Sequence, residues 1–123
     1  MLIGLGGFAG ANARYWLGGW IIQRLGPEFP YHTLVINVSG SFVLGLFMAL
    51  SQQHMWDRRL HWGFAIGFLG AYTTFSTYEY ESLNLLIQRA YLLSLANLLG
   101  SVAVGLVAAW AGMVAGRAMT GGV

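Results

Sequence analysis

Polar side chains that recur at helical spacing inside otherwise apolar stretches are the chemically promising residues of this 123-residue chain. Thr33, Asn37 and Ser41 stand at i, i+4 and i+8, and Ser94, Asn97 and Ser101 at i, i+3 and i+7, so each set forms one stripe on its helix. Both sets consist of hydroxyls and carboxamides, which donate hydrogen bonds without bringing a full charge. Two such stripes facing each other would line a narrow path and replace the water around a small anion. The plainer alternative is that they glue helices together, at roughly 1 kcal/mol or less per pair.

Phe75 and Tyr78, at i and i+3, share a helix face beside the hydroxyls of Ser76 and Thr77. An aromatic ring has a positive edge, so an edge-on pair can coordinate an anion; plain packing is the other reading. Arg14, Glu79 and Glu81 are charges inside apolar segments, where each costs about 2.5–3.5 kcal/mol on insertion scales. Arg14 therefore needs a wet vestibule, where it would attract anions, or an ion pair with Glu79 or Glu81. His32, His54 and His61 lack the i, i+4 pairing of a helical metal site and read as interfacial side chains. The absence of Cys removes thiolate ligands, disulfides and nucleophilic thiols together.

The elements that hold these residues follow from where the charges are missing. Residues 29–56, 60–78 and 90–116 carry no Asp, Glu, Lys or Arg, and Leu2 to Gln23 is interrupted only by Arg14. Helices are expected over about 2–24, 32–53, 61–88 and 91–116, in a single domain covering 1–123. Gly26, Pro27, Glu28 and Pro30 punctuate the first connection, His54 to His61 the second, and Gln88 and Arg89 the third. Trp56, Trp62 and Tyr91 stand near these edges as interfacial anchors do.

Composition agrees with four membrane spans. The chain is 57% hydrophobic and 8% charged, against roughly 25% charged in a soluble domain, and its mean hydropathy is +0.62. Four spans at about 20 residues each use about 80 residues, which leaves no room for an extramembrane catalytic domain, so an enzyme is not expected. Six scattered Arg make no nucleic-acid footprint, and the lipid bilayer is the expected partner. Met1 to Ala13 has no basic region, so the first segment is expected to span rather than be cleaved as a signal.

The 18 Gly are expected to mark packing faces, where small residues let helix backbones approach in lipid. Gly6 with Gly10, Gly63 with Gly67, and Gly112 with Gly116 are spaced for this role. The run Gly4 to Ala9 superficially fits a dinucleotide fingerprint, but no strand precedes it and no acid follows. The stretch from Gly67 to Tyr78 is the least helix-like, with two Gly ahead of a run of β-branched and aromatic residues. A break is expected there, exposing backbone groups that survive in a membrane only when buried in protein or facing a cavity.

Charge says little about orientation. With four helices the N-terminus, second loop and C-terminus share a side with Arg58, Arg59 and Arg117, while Arg24 and Arg89 lie on the other. A chain so balanced is expected to insert both ways and form an antiparallel homodimer of dual topology, with a two-fold axis in the membrane plane.

Three strings, Gly6 to Tyr15, Thr33 to Phe42 and Gly67 to Tyr78, closely resemble those of the Fluc/CrcB fluoride channels, in order and across nearly the whole chain. The resemblance implies an all-α membrane protein with a broken third helix, an antiparallel dimer with two fluoride pores, and a bacterial inner-membrane location. It also implies a central structural sodium ion held by the main-chain carbonyls of Gly70 and Thr73. It assigns Asn37, Phe75, Ser76 and Thr77 to the pore, Glu81 to the acidic position further along helix 3, and Arg14 to the vestibule. Tyr78 stands where the family usually has a second Phe. Asn97, Ser101 and Gly105 stand where it often has Tyr and two Ser, so Gly105 leaves that track one hydroxyl short. The expected function is passive, selective export of fluoride. A small proton-coupled multidrug exporter shares the length and charge balance but needs an acid in helix 1, and a non-transporting assembly subunit is a third class.

Overall fold

A computed structural model describes residues 1–121, and within them the chain is helical throughout with no strand. Helix α1 runs Leu2–Leu25 and stops at Gly26, whose φ of 81° suits a residue without a Cβ and whose N–H bonds the Ile22 carbonyl at 2.8 Å. Pro27 and Pro30 then prevent continuation. Helix α2, Tyr31–His54, ends at Met55 in the left-handed region. Asp57 starts the next segment, its carboxylate accepting the Arg59 N–H at 2.9 Å.

The third helical region has an internal structure that periodicity does not foretell. One α turn, α3 at Arg58–Leu60, leads into a π-helical segment, His61–Leu69, and a second α turn, α4 at Gly70–Tyr72. Bonding from i to i+5 widens each turn. Rings four apart therefore stay nearly in line: Phe64 and Phe68 stack at 5.6 Å, Phe68 and Tyr72 at 5.9 Å. Thr73 and Thr74 are then extended, with ψ of 157° and 122°. This is the expected break, placed at two β-branched residues that disfavour the helix. Helix α5, Phe75–Ile87, follows, then a tight turn through Arg89 and helix α6, Tyr91–Met119.

Glycines set how close these helices come. A Cβ on Gly6 would fall on the Gly63 carbonyl oxygen, one on Gly10 on the Phe68 carbonyl oxygen, and one on Gly67 within 2.6 Å of the Ile3 oxygen. These contacts lay α1 directly on the π-helical segment. A Cβ on Gly45 would meet the Ala109 carbonyl and one on Gly112 the Phe42 carbonyl, while Gly116 would press on Ala49 at 2.7 Å, so α2 and α6 pair the same way. All three expected small-residue pairs lie at these crossings. Helix α5 packs on α6, and α1 reaches α2 through Gly18 against Ile36.

The outside of the molecule is as apolar as its core. Phe75, Trp16 and Trp110 are 73, 69 and 62% exposed, a surface suited to lipid or to another apolar face and not to water. Helices α2 and α6, of 24 and 29 residues, are each long and apolar enough to cross a bilayer. In α1 the six glycines together with Asn12 and Arg14 lower the hydropathy, and the third region is interrupted, so neither reaches that standard alone.

Candidate functional site at a helix break

Breaking a helix strands backbone groups, and α2 supplies their partners. The Asn37 Oδ1 accepts the Thr74 N–H at 2.8 Å and its Nδ2 donates to the Thr74 carbonyl at 2.9 Å, so one carboxamide satisfies both main-chain groups of an extended residue. The Thr74 hydroxyl caps α5 by accepting the Thr77 N–H at 3.3 Å and lies 3.0 Å from the Thr77 hydroxyl. Gly40, one turn from Asn37, makes room for Thr73 and Tyr72, and the Tyr72 and Ser39 hydroxyls lie 2.9 Å apart. The Arg14 guanidinium comes to 3.5 Å from the Thr73 carbonyl, a long contact.

A cavity of about 340 Å³ opens beside this clamp. Of the residues singled out in the sequence, Asn37, Ser41, Gly70, Thr73, Phe75, Tyr78 and Ser101 line it together. The rings of Phe75 and Tyr78 are tilted at 45° with centroids 5.8 Å apart. The Tyr78 hydroxyl is turned away, donating to the Leu98 carbonyl of α6 at 2.6 Å, so the phenol adds no free donor. The Ser101 hydroxyl is likewise committed, to the Asn97 Oδ1 at 3.1 Å. Among the described residues the Ser41 hydroxyl has no partner, and the Asn37 Nδ2 has a second hydrogen beyond the one given to Thr74. These are the donors left for an occupant. Among the described residues none that lines the cavity is acidic.

The other expected residues lie elsewhere, and the two polar stripes do not face each other along their length. Of the two stripes, only Asn37 and Ser41 of the first and Ser101 of the second share the cavity. Ser94 and Asn97 are buried against α5: the Ser94 hydroxyl donates to the Ser82 carbonyl and the Asn97 Nδ2 to the Ser82 hydroxyl, both at 2.8 Å. Ser82, which spacing alone does not single out, is the hub, and its hydroxyl donates in turn to the Tyr78 carbonyl. Replacing Ser82 by Ala leaves the Asn97 amide unsatisfied in a buried site, and the expected loss is about 1–2 kcal/mol. Thermal unfolding in detergent would read this as a lowered Tm; an unchanged Tm would show that the network does not hold α5 to α6.

Ser76 is exposed on the first turn of α5, and Thr77 belongs to the cap. Thr33 is buried and donates to the Glu81 Oε1 at 2.7 Å, with the His32 Nε2 at 3.1 Å from the same oxygen. His32, near the start of α2, thus has a partner on α5 that its position near a helix end does not foretell. Arg14 pairs with neither Glu79 nor Glu81; Glu81 is engaged by α2 instead. His54 and His61 do lie at the molecule's end, beside Trp56 and Phe47. Among the described residues no three His, Asp or Glu gather as a metal site.

Comparison with known proteins gives this geometry a setting. Residues 1–113 match the model of a family described as CrcB-like protein, Camphor Resistance (CrcB). The chain is 47% identical to a fluoride-specific ion channel FluC of Acidobacterium capsulatum, over 94% of this chain and 93% of that protein. It is 44% identical to a protein of the same name from Solibacter usitatus (95% and 97%), and 41% identical to one from Trichlorobacter lovleyi (89% of each).

Proposed function

The chain belongs to the CrcB family, and from that membership we infer that it is a fluoride-selective ion channel, not an enzyme, which passively lets fluoride out of the cytoplasm. The observation in the structure that carries the reading is the cavity at the helix break. Its uncommitted donors are neutral, its aromatic rings can turn positive edges inward, and no carboxylate lines it. Such a lining replaces the hydration of a small anion without holding it so tightly that it cannot leave. Arg14, near the break, supplies a fixed positive charge that draws anions toward it. An exporter of cationic drugs would need an acid in the first helix, where α1 carries none.

Four crossings, made by α1, α2, the broken third region and α6, account for the apolar exterior on every side. The near balance of Arg across the two faces supports insertion in both orientations and an antiparallel homodimer, with one pore along each copy, in the bacterial inner membrane. The exposed Phe75 and Gly70 are available to a second copy.

Gly70 and Thr73 fit a structural sodium ion on an independent ground. Each carbonyl has lost its regular i+4 donor, because the Thr74 N–H is held by Asn37 and the Thr77 N–H by the Thr74 hydroxyl. Such freed oxygens are hard donors suited to a hard cation. The ion would supply positive charge to bind the two breaks together. The long contact from Arg14 leaves the Thr73 oxygen a second lone pair for that purpose.

The test is ion efflux from liposomes holding the purified protein, read with a fluoride electrode and repeated with chloride. Fast fluoride efflux without chloride efflux is expected. Absence of fluoride efflux from folded protein would return the assembly-subunit reading to the front.

A further inference from the structure

Several hydroxyls stand on the wall of the cavity at the helix break, and all but one have already given their hydrogen to the protein. Thr73 donates to the Leu69 carbonyl at 2.9 Å and Thr74 to the Thr77 hydroxyl at 3.0 Å. Tyr78 donates to the Leu98 carbonyl at 2.6 Å and Ser101 to the Asn97 Oδ1 at 3.1 Å. A hydroxyl has a single hydrogen, so each of these can turn only lone pairs toward an occupant, and lone pairs repel an anion. Ser41 is the exception. Among the described residues its hydroxyl bonds to nothing, and its oxygen is not one of the sealed atoms left without a partner. Its neighbours on α2 show that such freedom is not general, for Ser39 and Ser51 donate to the Ile36 and Met48 carbonyls one turn back, each at 3.1 Å.

Two features surround this hydroxyl with what an anion needs. Asn37 stands one turn earlier on the same face of α2, so the second hydrogen of its Nδ2 and the Ser41 O–H come from one side of one helix. Opposite them α6 presents Gly105. A Cβ there would meet only the Ser41 Oγ within 4 Å, at 3.9 Å. One turn before, the same face of α6 carries Ser101; at Gly105 it carries no side chain, and the space beside the Ser41 hydroxyl stays open.

We propose that the Ser41 hydroxyl binds the permeating fluoride directly, together with the Asn37 amide, and that Gly105 keeps the space beside it clear. This rests on the channel reading and narrows it to one helix. The donors to the ion come from α2, while Ser94, Asn97 and Ser101 of α6 give theirs to protein groups and brace α6 against α5. A hydroxyl suits the task because its bond to a small, fully charged acceptor is short and strong, yet it brings no charge that would trap the ion.

Fluoride efflux from liposomes, with thermal unfolding of the same preparation, tests the assignment. Ser41→Ala removes a hydroxyl that holds nothing in the protein. Its flux should fall about tenfold, the effect of one lost charge-assisted hydrogen bond, while its Tm stays at the wild-type value. Ser41→Thr restores the hydroxyl and should recover most of that flux. Gly105→Ala makes only an ordinary contact at 3.9 Å, so its Tm should hold or rise, but its methyl stands beside Ser41 and flux should fall severalfold. Wild-type flux in Ser41→Ala overturns the proposal, as does a Ser41→Thr flux no higher than that of Ser41→Ala. A Tm that falls along with the flux in Ser41→Ala would make Ser41 a packing residue and overturn it too. A larger loss of flux in Ser101→Ala than in Ser41→Ala would put the donors on α6 and overturn it, and wild-type flux in Gly105→Ala would overturn the part given to Gly105. Absence of fluoride efflux from folded wild-type protein would instead overturn the channel reading, and this inference with it.

Discussion

Asn37→Asp should reduce fluoride flux at least about a hundredfold. The substitution is nearly isosteric, and it keeps an oxygen to accept the Thr74 N–H. It removes the Nδ2 group, which both bonds the Thr74 carbonyl and offers its second hydrogen to the cavity. It also places a negative charge on the wall of the cavity proposed to carry the anion. Two like charges about 4 Å apart at an effective dielectric of about 20 repel by about 4 kcal/mol, close to a thousandfold, and screening in a wet cavity lowers that figure. The Thr74 carbonyl is left unsatisfied at a cost of about 1–3 kcal/mol, so the Tm should fall too. Measuring flux and Tm on one preparation separates the two losses. Wild-type flux with a lowered Tm would mean that Asn37 only holds the break and takes no part in conduction.

Gly112 should be intolerant of any side chain. A Cβ there would coincide with the Phe42 carbonyl oxygen and crowd the Leu46 amide, both main-chain groups that move only if α2 and α6 part. Overpacking a well-fitted site costs roughly 1–3 kcal/mol when side chains can adjust. With backbone on both sides the expected cost of Gly112→Ala is about 3 kcal/mol or more, and Gly112→Val should not yield folded protein. Gly100 lies on the same helix with nothing within 4 Å of its Cβ position. Gly100→Ala should therefore be neutral or stabilising by up to about 1 kcal/mol. Equal behaviour of the two alanine variants in thermal unfolding would show that close approach of α2 and α6 is not what their glycines provide.

The helical elements were legible because lipid makes charge conspicuous. Gaps between charged residues place the ends of α1, α2 and α6 within a few residues, and the run of Thr and aromatic residues marks the break to within two. The π-helical register was not legible, since Phe64, Phe68 and Tyr72 look the same in a sequence whichever bonding pattern carries them. Asn37 stood out because a carboxamide in mid-span demands a partner, yet nothing in the spacing says that the partner is the backbone of Thr74. Ser82 was missed for a related reason. Its hydroxyl has no stripe of its own on α5, and only the docking of α5 on α6 shows that it joins Ser94 to Asn97. The partner of His32 was not legible, because the facing carboxylate lies 49 positions further along the chain.

Two extended residues between helices would ordinarily act as a hinge. Here the joint is locked from outside. Both hydrogen-bonding groups of Thr74 are held by a side chain 37 positions earlier, so α5 cannot swing on its own without first exposing backbone polar groups inside the protein. The break and α2 therefore open together or not at all, as one cooperative unit. The break is thereby built into the framework that α2 holds, and not left as a free joint.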